Sequence, residues 1–129
     1  MKERDNKKIY QKLDKNLAKF GDCIVNFVVS AALTIFYKKP QGVKVKNHVL
    51  RSAWLNTHNR LGVRKPFLIP EDLAEAYIAY LWLTHKLSIE DMIKILISHL
   101  VNLKPDPKRT EEAIKRGLEE ILRKGGINE

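Results

Sequence analysis

The chain of 129 residues is 44% hydrophobic and 30% charged, which fits one domain with a buried core and excludes an intrinsically disordered chain. Its 24 Lys and Arg exceed its 15 Asp and Glu, and the net charge of +9 favours nucleic acid, an acidic membrane surface or an acidic protein as partner. The single cysteine, Cys23, excludes an internal disulfide framework and a thiolate zinc cluster.

Cys23 begins an apolar run that ends at Tyr37, so we expect its thiol to be buried and inert, in a protein of the reducing cytoplasm. The run is shorter than the roughly 20 residues that a membrane-spanning helix needs, and it contains Asn26, Ser30 and Thr34. It therefore predicts a core helix and no membrane contact. The polar N-terminus, MKERDNKK, predicts no signal peptide.

Apolar spacing along the chain predicts a compact all-α domain of five or six helices, with no strand of consequence. Helix starts are indicated by Pro70, by the capping box of Ser88 and Asp91, and by Asp106 before a proline. The predicted helices span about residues 5–18, 19–37 (or 22–37), 47–60, 70–85, 89–103 and 107–124.

A polar stripe runs along the second predicted helix. Asp22, Asn26, Ser30, Thr34 and Lys38 follow one another at intervals of four, so they share one face of an otherwise apolar helix. A carboxylate at the mouth of a buried helix needs a basic side chain, the amides of a helix start or a metal beside it. A simple role at the start of a core helix is the alternative for Asp22.

A second acidic group opens the helix PEDLAEAYIAYLWL. Asp72 and Glu75 are three residues apart, so their carboxylates are close enough to repel by roughly 3 kcal/mol at about 5 Å. With Glu71 they could be solvated at the helix N-terminus, but the rest of the helix is apolar, which predicts that at least one acid lies near the core. Two such acidic groups supply the hard oxygen ligands of a magnesium site that activates water toward a phosphodiester.

The first acidic stretch, LAKFGDCIVNFVVS, resembles the signature helix of the ribonuclease III family, with matches at Leu17, Gly21, Asp22 and Val25. Two further segments resemble family motifs in the same order. They are LRSAWLN with the later LGV, at residues 50–56 and 61–63, and DLAEAYIAYLWL from Asp72. The resemblance covers about residues 15–100 of a single domain, 1–129, with an extra C-terminal helix.

This resemblance implies a homodimeric endonuclease domain that cleaves double-stranded or structured RNA with magnesium, or with manganese as a second candidate. Asp22, Asp72 and Glu75 would be the metal ligands and catalytic carboxylates, and Arg51 and Asn56 would be supporting residues. The dimer would form through the apolar faces near residues 24–31, and duplex shape would select the RNA.

Lys15 and Ala18 stand where the family has its two signature glutamates. Asp14 cannot replace the missing ligand, because eight residues of helix separate it from Asp22 by roughly 12 Å. Alanine at this position resembles the Mini-III branch, which also lacks an appended double-stranded RNA-binding domain and acts on ribosomal RNA precursors. The sequence leaves open whether one or two metals bind.

Basic residues in the loops beside the proposed site, together with Arg51 on the predicted helix 47–60, are candidates for RNA binding, although each could also be a solvated surface charge. They are Lys44, Lys46, Arg51, Arg60 and Arg64. Two other functions compete with the nuclease. One is an inactive relative that binds RNA or the ribosome, and the other is a helical DNA-binding or scaffold protein that uses residues 47–60 as a recognition helix.

Overall fold

A computed structural model of the chain describes residues 12–58, 68–103 and 106–124. These residues form five α-helices and no β-strand, which confirms the all-α prediction. The helices are α1 (Lys15–Tyr37), α2 (Asn47–His58), α3 (Pro70–Leu83), α4 (Ile89–Leu103) and α5 (Pro107–Arg123).

Helix α1 begins earlier than predicted because Asp14 caps it. The Asp14 side chain accepts a hydrogen bond from the backbone N–H of Leu17 at 2.8 Å, which satisfies one of the free donors of the first turn. This cap separates α1 from Lys12, which is helical, because Leu13 and Asp14 are not. The predicted boundary at residues 18–19 was therefore wrong, and residues 1–11 of the first predicted helix lie outside the described part.

The other helix boundaries follow their capping signals. Ser88 and Asp91 form the predicted reciprocal capping box at the start of α4, with N···O distances of 3.4 and 3.0 Å, and Asp106 caps α5. Helix α3 starts at Pro70 as predicted, but it ends two residues early, before His85 takes a left-handed conformation with φ of 61°.

The core is built around α3, whose residues 73–79 are all buried. Helix α1 packs along α3 over the most extensive helix contact in the described structure, and α2 packs against another side of α3. Helix α4 packs against α1 and α5. Gly21 makes the crossing of α1 and α3 possible, because a Cβ at this position would overlap the backbone carbonyl of Glu75. The two helices therefore touch at the backbone beside Asp22.

Helix α1 leaves a second face uncovered. Cys23 is exposed, so the prediction of a buried thiol was wrong. The cysteine shares an exposed face of α1 with Phe20 and Phe27, which are 40% and 57% exposed. The apolar run suggested a helix packed nearly all round, whereas the protomer covers only one of its faces.

Of the described helices, only α1 is long and apolar enough to cross a membrane. Its 23 residues exceed the length estimated from the sequence, so length does not argue against a membrane span. Its packing does argue for a core helix, because Val25, Val28 and Ala32 are fully buried against the rest of the domain.

Candidate active site at the crossing of α1 and α3

The three predicted carboxylates line one cleft of about 280 Å³ at the crossing of α1 and α3. Asp22 comes from α1, while Asp72 and Glu75 come from the first turns of α3. The remaining lining residues are Lys15, Ala18, Lys19, Lys44 and Asn47. Residues separated by fifty positions in sequence thus meet because Gly21 lets the two helices approach.

Asp22 and Glu75 share a hydrogen bond between their carboxyl groups. Glu75 is only 8% exposed, and burial raises its pKa to about 8, with further increases from the hydrogen bond to Asp22 and from the charges of Asp22 and Asp72. The same hydrogen bond is the main reason that the pKa of Asp22 is lowered. At neutral pH, Glu75 is therefore the protonated donor and Asp22 the ionised acceptor.

Two lysines place positive charge beside Asp72 and Asp22. Lys15 Nζ lies 2.8 Å from Asp72 Oδ2, and Lys44 Nζ lies 3.3 Å from Asp22 Oδ1. Both ammonium groups belong to mostly exposed side chains, with exposures of 60% for Lys15 and 71% for Lys44. Ion pairs of this kind contribute little to stability and open readily.

The polar stripe of α1 positions Lys44. The Asn26 and Ser30 side chains accept hydrogen bonds from the backbone N–H groups of Val45 and Val43 at 2.8 and 2.9 Å. Thr34 accepts in the same way from Gln41 at 2.9 Å. These bonds fix the extended connector between α1 and α2 along the helix, so Lys44 is brought over Asp22.

Asn26 also orients Asp22 itself. Its Nδ2 group donates to Asp22 Oδ1 at 3.1 Å, one helical turn away, while its Oδ1 atom holds the connector. One amide thus fixes both the carboxylate and the segment that carries Lys44. The interval of four in the sequence predicted the stripe, but it did not indicate that the stripe binds a connector.

The comparison with known families agrees with this arrangement. A family model described as Ribonuclease III matches residues 15–125. The chain belongs to the ribonuclease III family. The match includes all five described helices and every residue of the cleft. A search of curated proteins found no match.

Three further predicted residues of the ribonuclease III domain, Lys46, Arg51 and Asn56, do not line this cleft. Arg51 Nε pairs with Glu71 Oε1 at 3.3 Å, and Asn56 Nδ2 donates to Glu119 Oε2 at 2.7 Å. These contacts tie α2 to α3 and α5. Lys46 pairs with Glu111 at 3.5 Å. Arg60, Arg64 and the LGV match at 61–63 lie outside the described residues.

The donor set of the ribonuclease III cleft fits a divalent cation chemically. Within the described ranges, no group of three or more His, Cys, Asp or Glu is arranged to hold a metal, and Lys15 and Lys44 pair with two of the acids. Three carboxylates nevertheless face one cleft, and their mutual repulsion contributes to the raised pKa of Glu75. Hard oxygen ligands under such repulsion favour a bound cation.

Sequence reasoning missed the part played by Lys15, which it noted only as a departure from the family pattern. The signal was present, since Lys15, Ala18, Lys19 and Asp22 follow the helical intervals of three and four and so share a face of α1. All four line the cleft. The contact with Asp72 depends on where α3 crosses α1, which the spacing does not give.

Proposed function

We propose that this ribonuclease III domain is a metal-dependent endonuclease that cleaves structured or double-stranded RNA. The observation that carries the proposal is the convergence of Asp22, Asp72 and Glu75 in one open cleft. The net charge of +9 and the exposed lysines at the rim favour a polyanionic substrate.

Asp22, Asp72 and Glu75 would hold the cation, with magnesium as the first candidate and manganese as the second. When bound, the metal supplies positive charge that activates water and offsets the charge that develops on the phosphate. Asn26 keeps one oxygen of Asp22 oriented. To serve as a ligand, Glu75 would have to give up its proton, because a carboxyl group that holds a metal must be ionised.

The rim residues suit an RNA backbone. The side chains of Lys44 and Lys46 are each 71% exposed on the connector, and each phosphate contact that they make would add about 0.9 to the salt dependence of duplex binding. Recognition of an A-form duplex by shape needs no reading of bases. We propose a role in the cytoplasm, with ribosomal RNA precursors as the first substrates to test.

The exposed apolar face of α1 supports a homodimer. The sequence predicts a dimer contact near residues 24–31. Of these residues, Ile24, Val25 and Val28 lie in the core of the protomer, whereas Phe27 is exposed. We therefore assign the contact to the opposite face of α1, where Phe20, Cys23 and Phe27 are exposed. Trp82 extends this face from α3, with its ring centroid 5.7 Å from that of Phe20. Contiguous exposed apolar surface of this kind is typical of protein interfaces.

Cleavage of a labelled duplex RNA by the purified protein, with and without magnesium, tests the proposal. We expect cleavage only with metal, and a loss of about 100-fold or more in Asp22→Asn and Glu75→Gln, because each removes a ligand. Glu90→Gln removes an exposed carboxylate at the start of α4 and should cleave as the wild type does. Cleavage that persists in both site variants would contradict the assignment.

An inactive RNA-binding relative is the second candidate function. The ion pairs of Lys15 and Lys44 favour it, because they offset the charges of Asp72 and Asp22 without a metal. This candidate predicts RNA binding without cleavage, equal in the wild type and in both site variants. A DNA-binding scaffold would leave the three converging carboxylates without a role.

A further inference from the structure

Lys15 occupies an unusual place for a lysine. It is the first residue of α1, and its side chain reaches Asp72, 57 positions along the chain, at the start of α3. The first turn of α1 contains no acidic residue, and a cation at a helix N-terminus is opposed by the helix dipole. The lysine at this position therefore does not stabilise α1 itself, and its contact with Asp72 explains its presence better.

The exposure of the two partners differs. The Asp72 side chain is 16% exposed, and that of Lys15 is 60% exposed. Asp72 is thus fixed on the wall of the cleft, while the lysine reaches it from solvent on a flexible stem. An incoming cation can displace such an ammonium group, but it has to compete with it.

The charges of the cleft limit how many cations can enter. Lys15, Lys19 and Lys44 face the same space as the three carboxylates. Two divalent cations would add four positive charges to a cleft in which three ammonium groups face at most three ionised acids. One divalent cation that displaces Lys15 avoids most of this repulsion.

We infer that Lys15 competes with a divalent cation for Asp72 and restricts the cleft to a single divalent cation. The inference rests on the proposed function, since it concerns the same cleft. Lys15 is here a positioning residue that controls the availability of Asp72.

Titration of the metal-free protein with Mn²⁺, followed by calorimetry and by electron paramagnetic resonance of free Mn²⁺, tests the inference without an activity assay. The wild type should bind one Mn²⁺ per chain. Lys15→Gln should bind one Mn²⁺ about threefold to fivefold more tightly, the upper range for loss of an exposed ion-pair competitor. Lys15→Glu adds a carboxylate beside Asp72 and should bind two.

Lys19→Gln is the matched control. Lys19 lines the same cleft one turn further along α1, and in the part of the chain that the structure describes it pairs with none of the three carboxylates. Its substitution removes the same charge and should leave Mn²⁺ affinity within about twofold of the wild type. Unfolding curves of the metal-free variants verify that each is folded.

The outcomes separate the inference from the proposed function. Two Mn²⁺ ions per wild-type chain, or equal affinities for Lys15→Gln and Lys19→Gln, would overturn the inference and leave a metal-dependent nuclease standing. The absence of Mn²⁺ uptake by the wild type and by both Lys15 variants would overturn the proposed function, and the inference with it.

Discussion

His58 is a buried histidine that makes stability depend on pH. Its ring stacks on Trp54 with 4.2 Å between centroids, and burial lowers its pKa from 6.5 to about 4, with a further contribution from the positive charge of Arg123. Above pH 6.5 the ring is neutral in the folded and unfolded states. Between pH 6.5 and 4 only the unfolded state gains this proton, so the contribution of His58 to the free energy of unfolding falls as pH falls, by at most about 3 kcal/mol.

Urea unfolding of the metal-free protein between pH 7.5 and pH 4 measures this loss. The raised pKa of Glu75 acts in the opposite direction between pH 8 and 4.5, so the test is the difference between the two proteins. Relative to His58→Phe, which keeps an aromatic ring against Trp54, the wild type should lose stability as pH falls below 6.5. His85→Asn is the control, because His85 is exposed and its positive φ is tolerated by asparagine. A wild-type slope in His58→Phe would contradict the assignment.

Among single residues, the sequence identifies the acidic residues of the cleft better than it identifies the side chains that contact them. Asp22, Asp72 and Glu75 were identified by type, spacing and resemblance, and they do converge. The ion pair of Lys15 with Asp72 was not predicted, because it joins two helix starts whose crossing no local pattern specifies. The exposure of Cys23 was missed for a related reason. A hydrophobic run indicates that a helix packs, but not how many of its faces one protomer covers.

Among the helices, the contact of α1 with α3 depends on a glycine. In Gly21→Ala the added Cβ would overlap the Glu75 carbonyl, which is backbone and cannot rotate away. We expect the helices to be forced apart at a cost of about 2–3 kcal/mol in the free energy of unfolding, with weaker Mn²⁺ binding because Asp22 and Glu75 separate.

Gly42→Ala is the matched control for this variant. A Cβ at Gly42 would meet nothing within 4 Å, so its substitution should change the free energy of unfolding by less than about 0.5 kcal/mol. Urea denaturation of the two variants beside the wild type gives the comparison. Equal stability of both would show that the contact at Gly21 can relax, contrary to our expectation.

Helix boundaries were predictable where a side chain caps the helix in an otherwise polar context. Ser88 with Asp91 and Asp106 before Pro107 marked the starts of α4 and α5 correctly. The start of α1 was misplaced because apolar residues continue across Asp14, from Leu13 to Leu17, and hide the cap. Periodicity alone does not distinguish one long helix from two helices that share a stripe.

For the whole molecule, the proposed homodimer can be tested on the exposed face of α1. Phe27→Lys places a charge in that face and should convert a dimer to a monomer in light scattering coupled to size-exclusion chromatography, because burial of an unpaired charge opposes association. Val101→Lys is the control, since Val101 on α4 is also 57% exposed. A wild-type protein that is monomeric at all concentrations would contradict the proposal, as would a dimer that persists in Phe27→Lys.

Successive residues of the connector between α1 and α2 face alternately toward α1 and toward the cleft. Gln41, Val43 and Val45 donate their backbone N–H groups to α1, and the intervening Lys44 faces the cleft. If one residue were added to or removed from this segment, each of its residues would face the opposite side. A valine would then lie beside Asp22, and Lys44 would point away from the cleft. The number of residues in this loop is therefore as much a requirement of the proposed catalytic site as the identity of any side chain in it. Lineages of this domain should tolerate substitutions here far better than changes of length.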